Sequence, residues 1–177
     1  MISIPTLAPM TSPAAVDPHA RLRELGLELP APPAAVASYV PATIAPLGAG
    51  RVLVSIAGQI GMRDGSPVRR GRVPDQVSIA DAQSDARLCA LNLLAQLERA
   101  VGLTTVERLL QVNVYVRCAD DFGEQPAVAN GASDLLVDVL GDAGRHARAA
   151  VGVNALPFGV PVEVSAVAVA RPLAASD

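Results

Sequence analysis

The chain has 177 residues, 51% of them hydrophobic, and a net charge of −3 at pH 7. A chain of this length can bury a core without disulfides or metal ions, and its acidic balance argues against nucleic-acid binding. All fourteen basic residues are arginine. This excludes the lysine Schiff base on which pyridoxal phosphate enzymes and lysine-dependent aldolases rely.

The sequence lacks the signals of secretion and of membrane insertion. No basic segment followed by a long apolar run opens the chain, and no apolar stretch is long enough to cross a bilayer. Cys89 and Cys118 have no metal-ligand spacing and indicate a reduced pair. We expect a soluble, cytoplasmic protein that binds neither membranes nor nucleic acid.

The first half of the chain predicts a short helix and a hairpin. Residues 1–16 are rich in Pro, Ser, Thr and Ala and predict a flexible segment, followed by one domain over residues 17–177. Asp17 can cap a short helix that ends at Gly26. A glycine-rich turn at 48–50 joins predicted strands over 38–46 and 51–57. The cluster of Arg69, Arg70 and Arg72 lies in a Gly/Pro-rich segment and predicts a solvated loop.

The second half predicts two long helices and three strands. Ser78 and Asp81 predict the start of a helix that ends at Gly102, and a second helix begins at Asp121 or Pro126 and ends before Gly141. Strands are predicted over 109–116, 151–153 and 160–170. This order predicts an α+β fold with helices on one face of a sheet. Since Val and Ala occupy both faces of the last strand, we expect self-association to cover the other face.

Two charged residues stand out in the apolar strands near the end of the chain. Arg148 opens one apolar run, and Glu163 lies between Val162 and Val164 in the next. An unpaired charge in such surroundings is costly. Two interpretations stay open at this point, a structural ion pair and a carboxylate-binding site, because guanidinium binds a carboxylate through two parallel hydrogen bonds.

Four short motifs resemble the RidA/YjgF/L-PSP family in order and spacing, from about Ser38 to Ala170. They are Gly58-Gln59-Ile60, Ala147-Arg148-Ala149-Ala150-Val151, Leu156-Pro157 and Val162-Glu163-Val164. The resemblance implies a chorismate-mutase-like fold with a mixed sheet, and a homotrimer with ligand clefts between neighbouring subunits. It also implies hydrolysis of 2-imino or enamine acids to 2-oxo acids and ammonia, with no cofactor and no metal.

The resemblance also implies roles for individual residues. Arg148 matches the arginine that binds the substrate carboxylate, and Glu163 matches the glutamate proposed to position water; a structural pairing of Glu163 with a strand arginine stays open. Three further residues match the pocket lining: Tyr39, Gly58 and Asn130. The alternative for Tyr39 is a half-buried strand tyrosine. The alternative for Asn130 is a polar residue on the exposed face of a helix. His146 is a candidate acid or base, because imidazole titrates near neutrality.

Two departures from the family pattern bear on the substrate. Ala57 and Ala150 occupy positions where many deaminating members carry small polar residues or cysteine. The pocket is therefore expected to be more apolar. This favours a bulkier, more hydrophobic imino acid or another ligand. The run from Gly144 to Gly152, GRHARAAVG, resembles a subgroup signature. Alternatives are a non-catalytic carboxylate-binding trimer and a specialised biosynthetic reaction in the same cleft. Ribonuclease activity, an old label of the family, is opposed by the acidic balance.

Overall fold

The computed structural model describes residues 16–32 and 38–172, so the predicted flexible segment 1–16 lies outside it except for Val16. The helices are α1 (Pro18–Glu24), α2 (Ile79–Val101) and α3 (Gln125–Leu140). The strands are β1 (Ala42–Gly48), β2 (Arg51–Ile60), β3 (Met62–Arg63), β4 (Ser66–Pro67), β5 (Val106–Arg117), β6 (Ala147–Val153) and β7 (Val162–Ala170). Within these ranges no helix is both long and apolar enough to cross a membrane.

Five of the strands form one mixed sheet in the order β1-β2-β7-β5-β6. Every neighbouring pair is antiparallel except β5 and β6, which run parallel. A parallel pair needs a crossover connection, and α3 supplies it. The last strand in sequence, β7, therefore lies at the centre of the sheet, while β1 and β6 form its edges.

The two long helices cover one face of the sheet. The Ser78 hydroxyl caps α2 by accepting the Asp81 amide hydrogen at 3.1 Å, and leucines such as Leu93, Leu94 and Leu136 are fully buried. A Cβ added at Gly131 of α3 would lie 2.1 Å from the Gln83 carbonyl oxygen of α2. The absence of a side chain at this position is therefore what lets the two helices approach so closely.

The strand residues alternate between the covered face and an open face. In β7, Val162 and Val164 are buried beneath the helices, while Glu163 and Ser165 between them are half-buried on the other side. The polar Asn113 and Tyr115 of β5 lie on the same open face, opposite Ser165 and Glu163. In a single chain this second face of the sheet has no covering layer among the described residues.

The predicted α+β fold with a mixed sheet is confirmed, and the differences concern the ends of its elements. The strand expected over 38–46 begins at Ala42, after a bend at residues 38–39. β2 continues past Ala57 through a bulge to Ile60. β6 begins four residues before the predicted 151, since its alanine-rich start pairs with β5. β7 begins at Val162 and α3 at Gln125.

The arginine cluster near Gly71 lies in a loop, as expected, and two of its arginines also bond to neighbouring elements. The Arg69 guanidinium lies 2.9 Å from the Asp81 carboxylate and 3.0 Å from that of Asp85, which is buried in α2. Arg70 donates to the Phe158 carbonyl at 3.0 Å. The loop that follows the β3–β4 hairpin is therefore attached to α2 and to the segment before β7.

Candidate active site

Arg148 is the second residue of β6, an edge strand, and its side chain lies along α3. Its Nη1 donates to Asn130 Oδ1 and to Ser133 Oγ, each at 3.0 Å, and its Nη2 donates to the Pro126 carbonyl at 3.4 Å. Residues 126, 130 and 133 are spaced four and three apart, so they share one face of the helix. Because β6 pairs with β5 at the edge of the sheet, its residue Arg148 lies opposite this face of α3.

The Arg148 guanidinium has no carboxylate partner among the described residues, and all three of its acceptors are uncharged. This rules out the interpretation of Arg148 as half of a structural ion pair within the described chain. A guanidinium has five N–H donors. The three contacts leave Nε–H and one Nη2 hydrogen without an acceptor, so two donors are available to a ligand carboxylate.

His146 completes a polar chain beside Arg148. Its Nδ1 lies 2.6 Å from the Gly144 carbonyl oxygen, and its Nε2 lies 3.0 Å from Ser133 Oγ. Since a carbonyl only accepts, Nδ1 carries the proton, and Nε2 of the neutral ring accepts the Ser133 hydroxyl. Burial lowers the pKa of His146, and the charge of Arg148 lowers it further against the opposing effect of the Gly144 carbonyl. The neutral ring is thus the favoured form, and Ser133 connects it to Arg148.

Glu163 occupies a space that a glycine leaves open. Gly58 lies in the β2 bulge, between the register positions of Ile56 and Gln59, and a Cβ added there would be 1.7 Å from Glu163 Oε1. Glu163 has neither a hydrogen bond nor an ion pair with any described residue, so no strand arginine pairs with it. Burial raises the pKa of its carboxyl group. A half-buried, unpaired carboxylate of this kind binds protons more readily than an exposed one.

Tyr39 lies close in sequence to the strand that faces this bulge. The Ala57 amide donates to the Pro41 carbonyl at 3.0 Å, which holds the segment before β1 beside the β2 bulge. Tyr39 is 47% exposed and precedes β1, so it is not the strand tyrosine that its alternative interpretation required. Its ring is available to a ligand or to another chain.

Arg148 and Glu163 face opposite sides of the sheet in one chain. On β5, Arg148 pairs with Val112 and Glu163 pairs with Tyr115, three residues further on. Because successive strand residues alternate between faces, an odd offset separates the two side chains. The arginine half-site consists of Arg148, Asn130, Ser133 and His146. The glutamate half-site consists of Glu163 and Gly58. Tyr39 belongs to the segment whose Pro41 carbonyl bonds to the neighbouring Ala57 amide.

Ser133 and the Pro126 carbonyl are members of the arginine half-site that the sequence interpretation missed. Ser133 follows Asn130 by three residues, a spacing that places the two on one helix face. That spacing was the available signal. The spacing alone does not show that β6 lies beside α3 and brings Arg148 to this face.

A comparison with known proteins agrees with this fold. The family profile described as "YjgF/chorismate mutase-like, putative endoribonuclease" matches residues 19–167. The chain belongs to this family. The RidA/YjgF resemblance inferred from its short motifs is thereby confirmed.

Three individual proteins illustrate how similar the chain is to members of this family. Protein TCP17 of Trypanosoma cruzi is 40% identical over 149 residues, covering 83% of this chain and 90% of TCP17. The structure of Atu1372 from Agrobacterium tumefaciens, a protein of unknown function, is 40% identical with a TM-score of 0.78 and covers 88% of this chain and 92% of Atu1372. RidA from the Antarctic bacterium Psychrobacter sp. is 28% identical with a TM-score of 0.54, covering 78% and 93% of the two chains.

Proposed function

We propose that the protein is a cytoplasmic homotrimer that hydrolyses 2-imino acids and their enamine tautomers to 2-oxo acids and ammonia, without a cofactor. The observation that carries this proposal is the Arg148 guanidinium, which is held by three uncharged acceptors and keeps two N–H donors without a partner. A cation fixed in this way is suited to a ligand carboxylate. The carboxylate is the group that every 2-imino acid shares.

The reaction needs a fixed substrate and one delivered water molecule. Water adds to the imine carbon, a new C–O bond forms, and the C=N electron pair moves to nitrogen. Glu163 takes a proton from the attacking water and gives it to the nitrogen, which yields a carbinolamine. Glu163 then takes the proton of the new hydroxyl group and passes it to the amine, so that the C=O bond forms as the C–N bond breaks and ammonia leaves. The raised pKa of Glu163 suits this exchange, because a base works best when its pKa approaches the working pH.

A complete site of this kind requires two chains. The arginine half-site lies at the β6 edge beside α3, whereas the glutamate half-site lies on the open face of the sheet. A head-to-tail contact joins two different surfaces, and three such contacts can close a ring. The proposed trimer thus supplies Arg148 from one subunit and Glu163 from its neighbour, in agreement with what the family resemblance implies.

A carboxylate-binding trimer without chemistry is the second candidate. Ala150 follows Arg148 by two residues on the same face of β6 and offers no hydrogen-bonding group to a bound substrate. Binding of 2-oxo acids without turnover of any imine would favour this second function over the first.

The proposed reaction can be tested with imines that are generated in situ. An L-amino-acid oxidase generates 2-imino acids with small, aliphatic or aromatic side chains, and semicarbazide traps the imine that persists. The wild-type protein should reduce semicarbazone formation, and Arg148→Ala should abolish this effect while the protein stays folded and keeps its oligomeric state.

The matched control is Arg145→Ala, since Arg145 is an exposed arginine on the same segment that bonds to Asp142 at 3.0 Å. This variant should retain full activity. Turnover that persists in Arg148→Ala would contradict the proposal.

A further inference from the structure

The proposed reaction gives His146 no role, although its ring is connected to Arg148 through Ser133. We propose that His146 is a positioning residue, which together with Ser133 holds the Arg148 guanidinium in the orientation that a ligand carboxylate requires. It does not itself exchange a proton with the substrate. The inference rests on the proposed function, because it takes Arg148 as the carboxylate site.

The Arg148 side chain needs such support, because it belongs to an exposed residue of an edge strand. A free arginine side chain samples many rotamers, and a ligand that selects one of them binds with lower affinity. Here Nη1 donates to Asn130 and Ser133 at 3.0 Å, and Nη2 donates to the Pro126 carbonyl at 3.4 Å. Hydrogen bonds on both terminal nitrogens fix the plane of the guanidinium, and Ser133 supplies one of the two shorter ones.

The hydroxyl of a serine inside a helix has a competing acceptor in its own backbone. It can donate to the carbonyl four residues earlier, and Ser84 of α2 does so, with its Oγ 3.0 Å from the Ala80 carbonyl oxygen. The equivalent acceptor for Ser133 is the Ala129 carbonyl. Because the Ser133 hydroxyl donates to His146 Nε2 at 3.0 Å instead, its oxygen stays directed toward Arg148 and accepts the Nη1 hydrogen.

His146 is itself fixed relative to α3. Its Nδ1 donates to the Gly144 carbonyl at 2.6 Å, and a Cβ added at Gly144 would lie 2.3 Å from the Leu136 carbonyl oxygen of α3. The glycine therefore packs directly against the helix that carries Ser133. Its carbonyl determines that Nδ1 carries the proton, so Nε2 is the acceptor that Ser133 requires.

The same contacts separate His146 from the atoms that react. Both of its ring nitrogens are occupied by the protein. Ser133 contacts Nη1 of Arg148, whereas the two donors left for a carboxylate are on Nε and Nη2. His146 lies beyond Ser133 in this chain of hydrogen bonds, which favours an orienting role over the acid or base role predicted from the sequence.

Calorimetric titration with pyruvate and 2-oxohexanoate tests the inference without requiring turnover. His146→Asn keeps a donor for the Gly144 carbonyl but has no group at the position of Nε2, whereas His146→Gln can place its carbonyl oxygen there. His146→Asn and Ser133→Ala should each weaken binding roughly three- to tenfold, as expected when one long side chain loses its fixed orientation. His146→Gln should recover most of this loss.

A double variant distinguishes one shared role from two separate ones. Substitutions that remove the same interaction have non-additive effects, so His146→Asn combined with Ser133→Ala should bind the acids no more weakly than Ser133→Ala alone. The matched control is Ser84→Ala, which removes a helical hydroxyl that bonds to its own helix and should leave the affinity unchanged. Urea denaturation would verify that every variant is folded under the conditions of the titration.

Three results would each overturn the inference: wild-type affinity in His146→Asn, equal losses in His146→Asn and His146→Gln, or additive losses in the double variant. In each case, loss of binding in Arg148→Ala would still support the proposed function. If neither acid binds to the wild type, or if both bind equally well to Arg148→Ala, the inference and the proposed function are both wrong.

Discussion

Arg148 and Arg69 are two arginines that this chain uses differently. Arg69 lies within 3.0 Å of two carboxylates, those of Asp81 and Asp85, and thereby attaches a loop to α2. Arg148 has only uncharged acceptors. The proposed carboxylate site depends on this difference, because the unused donors of Arg148 can bind a ligand carboxylate.

Glu163 gives the first prediction at the scale of the residue. Glu163→Gln should lower kcat by roughly 10²- to 10⁴-fold and change KM far less, because in the proposed reaction the group handles a proton and does not hold the substrate. The wild-type rate should be complete above the raised pKa of Glu163 and fall as pH drops through it, and this acid limb should be missing in the variant. Steady-state kinetics across pH would measure both effects.

A suitable control is Glu107→Gln, which removes a carboxylate paired with Arg51 and Arg171 at the other end of the sheet. Activity in Glu163→Gln equal to that of this control would exclude Glu163 from the chemistry.

His146 gives a second prediction, on stability. Its pKa is lowered by burial and by Arg148, so the unfolded chain binds a proton more readily than the folded one. The neutral ring's contribution to stability is full above the ordinary value of 6.5 and is lost as pH falls from there toward the lower folded value. His146→Gln should therefore show a smaller loss of unfolding free energy on acidification, measured by urea denaturation.

The other histidine is a natural control. His19 belongs to α1, and its Nε2 lies 3.5 Å from the Glu98 carboxylate. His19→Gln should leave the acid sensitivity undiminished. Equal pH dependence of the wild type and His146→Gln would contradict the prediction.

Sequence reasoning identified Arg148, Asn130 and His146 as candidates, and the structure brings these three together. It missed Ser133 because a serine in a helix is common and carries no signal by itself. Its role depends on the turn at residues 141–146, which returns the chain so that β6 runs beside α3. Such a contact is decided by tertiary packing, which a short motif does not report.

At the scale of the elements, the contact between α2 and α3 depends on Gly131. Gly131→Ala would raise helix propensity by about 1 kcal/mol, yet its Cβ would lie 2.1 Å from the backbone oxygen of Gln83. Overpacking against a backbone that cannot move aside typically costs about 1–3 kcal/mol. We therefore expect a net loss of unfolding free energy, measured by urea denaturation at neutral pH.

Gly123→Ala is the matched control, because no atom lies within 4 Å of a Cβ added there. Its stability should stay close to that of the wild type. A Gly131→Ala protein of unchanged stability would show that the helices can separate without cost.

Local signals predicted the helices well. Ser78 and Gly102 flank α2, and Gly141 ends α3 with a positive φ of 58°, so each boundary is encoded within a few residues. The start of β6 was not predicted, because Ala147–Ala150 has little β propensity of its own. Its strand conformation comes from parallel pairing with β5, in which each partner lies 36 residues earlier in the chain.

At the scale of the whole molecule, the sheet order decides which residues can meet. The central position of β7 places Glu163 beside Gly58 of β2 and opposite Tyr115 of β5. The sequence pattern indicated that Arg148 and Glu163 lie in apolar strands, but it did not indicate which face each side chain takes. That information depends on strand register, which is set by pairings between distant segments.

The division of the site between two faces of the sheet has a genetic consequence. In the proposed ring, Arg148→Ala chains and Glu163→Gln chains are each inactive alone, yet a mixed trimer joins an unaltered Arg148 to an unaltered Glu163 at one boundary. Equal amounts, exchanged to random composition, should recover about a quarter of wild-type activity. Mixing Arg148→Ala chains with chains carrying both substitutions should recover none. Two different defective alleles would then complement each other in one cell, although neither encodes a working protein.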